Sequence, residues 1–155
     1  MRLATLDDVD DLLEFACRLA YDTEDKTLDR AIVRPAIVRV MENPKLGCYL
    51  VAWDENDPEK KSIGTTMLTY EVSVALGGII HWIQSVFVNP EARRKGVFRK
   101  LYSYVVERAR GEEEVKCVRL YVELENENAQ KVYERLGMGK MDTYDFNEMD
   151  YVFAH

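Results

Sequence analysis

Residues 86–109 read VFVNPEARRKGVFRKLYSYVVERA, and this stretch decides the fold. It opens on the end of a run rich in β-branched and aromatic residues, which is typical of a strand. Farther on, Val97, Leu101, Tyr104 and Val105 recur at the spacing of a helix with one buried face. A strand followed by a short turn and a helix predicts a mixed α/β sheet covered by helices.

The turn between that strand and that helix is strongly basic. Five of the eight residues from Arg93 to Lys100 are cationic, in a chain of net charge −7. Cations at a helix N-terminus face the positive end of its dipole, which disfavours each by about 0.3–1 kcal/mol. A bound polyanion would reverse that sign, and Gly96 would let backbone N–H groups approach it closely. The alternative is that Arg93–Lys100 is a solvated turn with no ligand. The segment alone does not decide between the two, because it contains neither a GxGxxG motif nor a P-loop motif.

The rest of the chain predicts one domain over residues 1–155. Thr5 and Asp8 resemble a capping box before a helix with an apolar stripe, and Pro35 predicts a kink or a restart in a second helix. A final strand is expected in the weakly patterned tail. The other predicted strands are Arg2–Ala4, Gly47–Trp53, Ile63–Tyr70, Gly78–Val88 and Cys117–Val122, and the later helices are Gly96–Arg110 and Asn128–Leu136.

Composition excludes several classes of protein. With 47% hydrophobic residues the chain is not disordered, and its three scattered cysteines predict reduced core residues rather than disulfides or a metal site. The opening MRLATLDDVDDL has no apolar segment of a signal peptide, and no apolar run approaches the ~20 residues of a membrane span, so we expect a cytoplasmic protein. The negative charge disfavours nucleic acid and anionic lipid as partners.

Two motifs resemble the GCN5-related N-acetyltransferases, a family that uses acetyl-CoA. The family's pyrophosphate loop has Gln or Arg, then Gly three residues later, then Gly or Ala; Arg93, Gly96 and Phe98 occupy these places, and Phe98 departs from the pattern. The segment LYVELENENAQKVYERLGM, residues 120–138, matches a second motif. Its matching residues are Asn128, Ala129, Tyr133, Leu136, Gly137 and Met138.

The resemblance implies a mixed, mostly antiparallel sheet of six or seven strands flanked by helices and splayed centrally for acyl-CoA. The splay would lie between the strand ending at Val88 and the strand ending at Val122. Pantetheine would pair with the strand backbone there, and the diphosphate would bind the amides that follow. The residues implied to bind the cofactor are Val86, Phe87, Val88, Arg93, Arg94, Lys95, Gly96, Val97, Phe98, Arg99 and Asn128.

The resemblance also implies direct acetyl transfer to a primary amine in a ternary complex. Tyr133 would be the acid that protonates the leaving thiolate, and the amide of Val86 would stabilise the oxyanion. Relatives often place a carboxylate base on the central strand, where this chain has Gln84 and Ser85. Glu123 and His81 are the remaining candidates for a base, although a strand-end carboxylate and a packed histidine are the simpler interpretations.

The acceptor is expected to contact Gln84, Ser85 and Glu123. Acidic residues at positions 22–25 and 112–127 favour a cationic amine, such as a polyamine or a lysine-like acceptor, although surface carboxylates commonly serve solubility alone. A homodimer is one of the oligomeric states open to such a domain. Two other functions compete with catalysis: a non-catalytic acyl-CoA sensor, and an anion-binding α/β domain unrelated to the family.

Overall fold

A computed structural model of the chain describes residues 1–141. The chain divides into two compact units, Met1–Tyr121 and Val122–His155. The strand expected in the tail after the last helix lies outside the described residues. Of the second unit, the described part contains a helix and its flanking turns.

The first unit is built on a five-stranded sheet: β1 (Arg2–Leu3), β2 (Gly47–Trp53), β3 (Ser62–Ser73), β4 (Gly78–Val88) and β5 (Val115–Leu120). The strands lie in chain order, β1 to β4 pair antiparallel, and β5 pairs parallel to β4. The predicted mixed, mostly antiparallel sheet is confirmed. The described residues contribute five strands to it, one or two fewer than expected.

Helices cover both faces of the sheet. Helix α1 (Val9–Glu24) and helix α2 (Arg30–Glu42) pack on one face, where Val51 of β2 joins a core of apolar residues from both helices. Neighbouring residues of a strand point to opposite faces. Cys48 lies on the other face, and its Sγ is 3.7 Å from Nη1 of Arg108 in helix α3 (Val97–Gly111).

The two local signals near the N-terminus have different outcomes. The predicted capping contact forms, since the Asp8 carboxylate accepts the Thr5 backbone N–H at 2.7 Å and also pairs with Arg2. Of the kink or restart predicted at Pro35, the restart is wrong, because α2 runs through it without a break. Pro35 removes one hydrogen bond to the carbonyl of Ala31, and both residues are exposed to water, which can solvate that carbonyl.

Most element bounds agree with the sequence patterns, and those of β2 and β4 agree to the residue. Strand β5 begins and ends two residues earlier than predicted, because its pairing with β4 starts at Val115 and stops at Leu120. On α3, Tyr102 is buried and Tyr104 is only half-buried. The three cysteines are free and half-buried. Across residues 1–141, no helix is both long and apolar enough to cross a membrane.

Candidate functional site

One edge of β4 is open beyond its pairing with β5. Pairing between β4 and β5 runs from Ile79 and Val115 to Ile83 and Leu120, whereas β4 continues to Val88. We call the point after Ile83 and Leu120 the fork. Beyond it, residues 85–88 pair with β3 on one side only, and no other strand of the described residues covers the opposite edge. An unpaired strand edge presents N–H and C=O groups to an extended ligand.

A β-bulge lies at the fork. Ser85 pairs with Met67 and Ile83 pairs with the next residue of β3, so Gln84 is the extra residue. Its side chain is exposed and donates from Nε2 to Thr69 Oγ1 at 2.7 Å. The carbonyl of Ser85 accepts from Thr66 Oγ1 at 2.9 Å. Bulges redirect side chains and interrupt pairing, which is what the open edge requires.

The three residues after the bulge offer mainly backbone. Phe87 is buried, and its ring stacks on Phe15 of α1 with centroids 5.1 Å apart. Val86 and Val88 are half-buried, and the carbonyl of Val88 accepts from Arg93 Nε at 3.1 Å. The Phe87 side chain belongs to the core, and contact of a ligand with the main-chain groups of Val86 and Val88 stays a prediction.

The basic segment, Arg93–Lys100, forms a turn and the first residues of α3. Two of its residues are left-handed, Arg94 with φ 63° and Gly96 with φ 78°, and Gly96 is the N-cap of α3. A Cβ on Gly96 would have no atom within 4 Å, so the space over the turn is open. Helix bonding begins where Lys100 N–H meets the Gly96 carbonyl at 3.0 Å, and the leading amides of α3 lack an intrahelical acceptor.

Most cations at this helix start make no ion pair, although Lys95 and Lys100 lie near enough to Asp54 to help lower the pKa of its carboxyl after its hydrogen bonds with Asn56. The first turn of α3 contains no acidic residue, and the side chains of Arg94, Lys95, Arg99 and Lys100 make no ion pair within 4 Å among residues 1–141. Arg93 is the exception, because its Nη2 lies 3.5 Å from Asp22 of α1. Val97 is buried and Phe98 is half-buried with its ring 6.2 Å from that of Tyr102, so their side chains pack inward. A surface that concentrates cations and N–H groups suits a polyanion.

His81 is not placed as a base. It is 1% exposed on the α3 face of the sheet, in the part of β4 that is paired on both sides. Its ring lies 4.7 Å from that of Tyr70, and its Nε2 is 3.5 Å from Glu112. Burial lowers the pKa of His81, and Glu112 opposes that shift. These contacts support the simpler interpretation of a packed histidine.

Three predicted site residues belong to the second unit. Tyr133 is half-buried on helix α4 (Glu127–Arg135), and burial raises its pKa. Asn128 is exposed in the first turn of α4, where the cap is Asn126, which accepts the Ala129 N–H at 3.1 Å. Glu123 is exposed, and its carbonyl accepts from Gln130 Nε2 at 2.9 Å. Their roles toward cofactor and acceptor stay predictions.

Four of the acidic residues at positions 22–25 and 112–127 make ion pairs within residues 1–141, and Glu127 with Lys131 is one of these pairs. Asp22 faces Arg93, Glu24 pairs with Lys26 at 2.5 Å, and Glu112 accepts from Arg108 Nε at 3.0 Å. The other five acidic residues of these stretches make no ion pair within residues 1–141, and a cationic acceptor stays a prediction.

One cluster of side chains at the fork was not predicted from the sequence. Trp82 of β4 pairs with Arg119 of β5, and the ring of Tyr121 stacks on Trp82 with centroids 4.8 Å apart. The indole Nε1 donates to Glu71 Oε2 at 2.6 Å. Residues two apart in an extended segment, such as Arg119 and Tyr121, point to the same side. The sequence does not show that this side lies against Trp82, because that depends on the parallel register with β4.

Comparisons with known proteins agree with this architecture. The sequence model of the acetyltransferase (GNAT) family matches residues 6–138. The structure is similar to that of a possible acetyltransferase from Clostridium difficile 630, with 36% identity, coverage of 99% of this chain and 97% of that one, and a TM-score of 0.85. A probable acetyltransferase has a TM-score of 0.85 at 21% identity, with 99% and 100% of the two chains covered.

A third structure, a transcriptional regulator from Bacillus halodurans C-125, has a TM-score of 0.76 at 18% identity, with 97% of each chain covered, and shows the fold alone. No curated protein matches the chain. The fold is that of an α/β acetyltransferase. The match over residues 6–138 shows that the chain belongs to the GNAT family of acetyltransferases, which generally use acetyl-CoA.

Proposed function

We propose that the protein is an acetyl-CoA-dependent N-acetyltransferase that transfers acetyl to a primary amine by direct attack in a ternary complex. The observation that carries the proposal is the continuity of the open β4 edge with the basic segment. Residues 84–88 offer a strand edge, and the turn that follows offers cations without ion pairs and open space over Gly96. An elongated ligand with a diphosphate at one end fits this combination.

The residues present fit coenzyme A. Main-chain groups of Val86 and Val88 would pair with the pantetheine, and the amides from Arg94 to Arg99 would hold the diphosphate. The guanidinium and ammonium groups of Arg94, Lys95 and Arg99 would neutralise its charge. The larger Phe98, where relatives have Gly or Ala, has its ring 6.2 Å from that of Tyr102, and a Cβ on Gly96 would still meet no atom within 4 Å.

Acetyl-CoA, when bound, supplies an acetyl group activated as a thioester. The chain would contribute the amide of Val86 to stabilise negative charge on the carbonyl oxygen, and the phenol of Tyr133 to protonate the departing sulfur. As the amine nitrogen bonds to the carbonyl carbon, the carbon–sulfur bond breaks and the nitrogen loses a proton to a base. Gln84 and Ser85 cannot ionise usefully and His81 is buried, so the base is water or the exposed carboxylate of Glu123.

The test is the release of free thiol from acetyl-CoA across a panel of amines. The double variant Arg94→Gln/Lys95→Gln should weaken acetyl-CoA binding at least tenfold, since hydrogen bonds to charged groups are each worth about 1.5–3 kcal/mol. A charge-matched control, Lys45→Gln/Arg110→Gln, removes two exposed cations elsewhere and should leave binding within twofold.

The outcomes separate the competing functions. Tight coenzyme A binding without turnover on any amine would indicate the non-catalytic acyl-CoA sensor. Binding of ADP as tight as that of coenzyme A would indicate a general anion site, because only the latter ligand fills the strand edge with pantetheine.

A further inference from the structure

We propose that Trp82, Arg119 and Tyr121 form a specificity subsite for an acceptor that carries a carboxylate beside its primary amine, such as an amino acid with an aromatic or apolar side chain. The inference rests on the proposed function and adds the acceptor's chemical class. It is argued from the position of these residues at the fork, the exposed aromatic surface, and a cation without a counterion.

The position follows from the strand register. Trp82 and Arg119 form the pair next to the last one before the fork, and Tyr121 is the first residue of its chain segment beyond it. The basic segment follows Val88, at the other end of the open edge. A cofactor whose diphosphate lies at the Val88 end therefore has its thioester toward Gln84 and the fork. The acceptor amine must reach that point.

The aromatic pair is open and held in place. Tyr121 is 83% exposed, and its ring lies nearly parallel to that of Trp82, at an interplanar angle of 28°. The hydrogen bond from the indole to Glu71 fixes the tilt of the Trp82 ring. A large exposed aromatic surface beside a reactive centre suits a planar or apolar side chain of a ligand.

Arg119 supplies the charge. Its guanidinium carbon is 5.9 Å from the centroid of the Trp82 ring, and the residue is half-buried. Arg2 makes the same contact with Trp53 at 5.9 Å, but Arg2 is neutralised by Asp8 at 2.6 Å. No acidic side chain of residues 1–141 lies within 4 Å of the Arg119 guanidinium. A half-buried guanidinium of this kind binds a carboxylate well, since two of its N–H groups can donate in parallel to the two carboxylate oxygens.

The experiment compares acceptors that differ only by the carboxylate: L-phenylalanine with 2-phenylethylamine, and L-leucine with isoamylamine. The full chain with acetyl-CoA should show a lower KM for the amino acids. Arg119→Gln should raise KM at least tenfold for the amino acids and less than twofold for the amines, with kcat changing little. Arg110→Gln, which removes an exposed arginine of α3, should leave both sets unchanged.

Binding is measured without turnover through the fluorescence of Trp82 in a Trp53→Phe background, since the chain has two tryptophans. L-phenylalanine should give a saturable change that 2-phenylethylamine lacks at equal concentration, and Arg119→Gln should abolish it. Equal binding of both ligands, or an equal effect of Arg119→Gln on both, would overturn the inference. If acetyl-CoA is turned over only with amines that lack a carboxylate, the subsite is wrong and the proposed function stands. If no coenzyme A binds and no acceptor is acetylated, the proposed function itself fails.

Discussion

The guanidinium of Arg93 lies 3.5 Å from the carboxylate of Asp22, joining the basic segment to the last turns of α1. The same guanidinium donates from Nε to the Val88 carbonyl at 3.1 Å. Arg93 is thus held at the end of the open strand edge, away from full use as a phosphate ligand. Asp22 competes with any diphosphate for this cation.

Removing that competitor should strengthen cofactor binding. An exposed ion pair is worth about 0.2–1 kcal/mol, so Asp22→Asn should lower the dissociation constant of coenzyme A by up to about fivefold. Titration calorimetry at low ionic strength measures the change, and added salt should reduce it. Asp11→Asn removes the same charge from α1 without a contact to Arg93 and should have little effect. Weaker binding in Asp22→Asn would mean that Asp22 positions Arg93 for the phosphates instead.

Gly96 is expected to matter for its backbone conformation. An added Cβ would meet no other atom, so Gly96→Ala introduces no steric clash with neighbours. Its cost is the backbone strain of an alanine at φ 78°, which is about 1–2 kcal/mol for a left-handed residue. Denaturant titration should show that loss in the free energy of unfolding. Gly111→Ala is the matched control, because Gly111 ends α3 with open space around it and alanine favours a helix. Equal stability of the two variants would contradict the account.

The sequence predicts the elements that depend on local patterns. Runs rich in β-branched and aromatic residues predict β2 and β4, and the capping contact of Asp8 with Thr5 depends on residues three apart. The basic segment can also be recognised from the sequence, because its positive charge stands out in a chain of negative net charge. Each of these signals is complete within one short stretch.

Contacts between distant segments could not be predicted in this way. The bulge at Gln84 and the end of β5 at Leu120 depend on register with other strands, which a single sequence does not encode visibly. Asp22 and Arg93 are far apart in the chain, and so are Trp82 and Arg119. For the same reason the structure, not the sequence, shows that His81 is packed against Tyr70.

Tyr133→Phe tests the proposed acid. If the phenol protonates the leaving thiolate, its loss should lower kcat about 10²–10⁴-fold while coenzyme A binding stays within twofold. Burial raises the pKa of Tyr133 above its usual value of 10, so the wild-type protein should keep the acid protonated to high pH, with no loss of kcat from this group below pH 10. Tyr104→Phe, on half-buried Tyr104 of α3, is the control and should keep full activity. A Tyr133→Phe variant with unchanged kcat would remove Tyr133 from this role.

His81 should make stability depend on pH in a defined direction. Burial lowers its pKa in the folded protein below the value of about 6.5 expected when unfolded, so the unfolded state binds the proton first as pH falls. Stability should therefore decrease as pH drops below about 7, by at most about 1.4 kcal/mol per pH unit for this one proton, until the folded histidine also titrates. Urea titrations from pH 5 to 8 measure the slope.

The variant His81→Phe removes the titration and keeps a ring beside Tyr70. As pH falls, the unfolding free energy of the wild type should decrease more than that of the variant. The contributions of acidic groups present in both proteins cancel in this difference. Glu112→Gln provides a second check, because Glu112 raises the pKa of His81 and its loss should extend the pH-dependent range downward. A constant difference across pH 5–8 would show that His81 binds a proton equally well in both states.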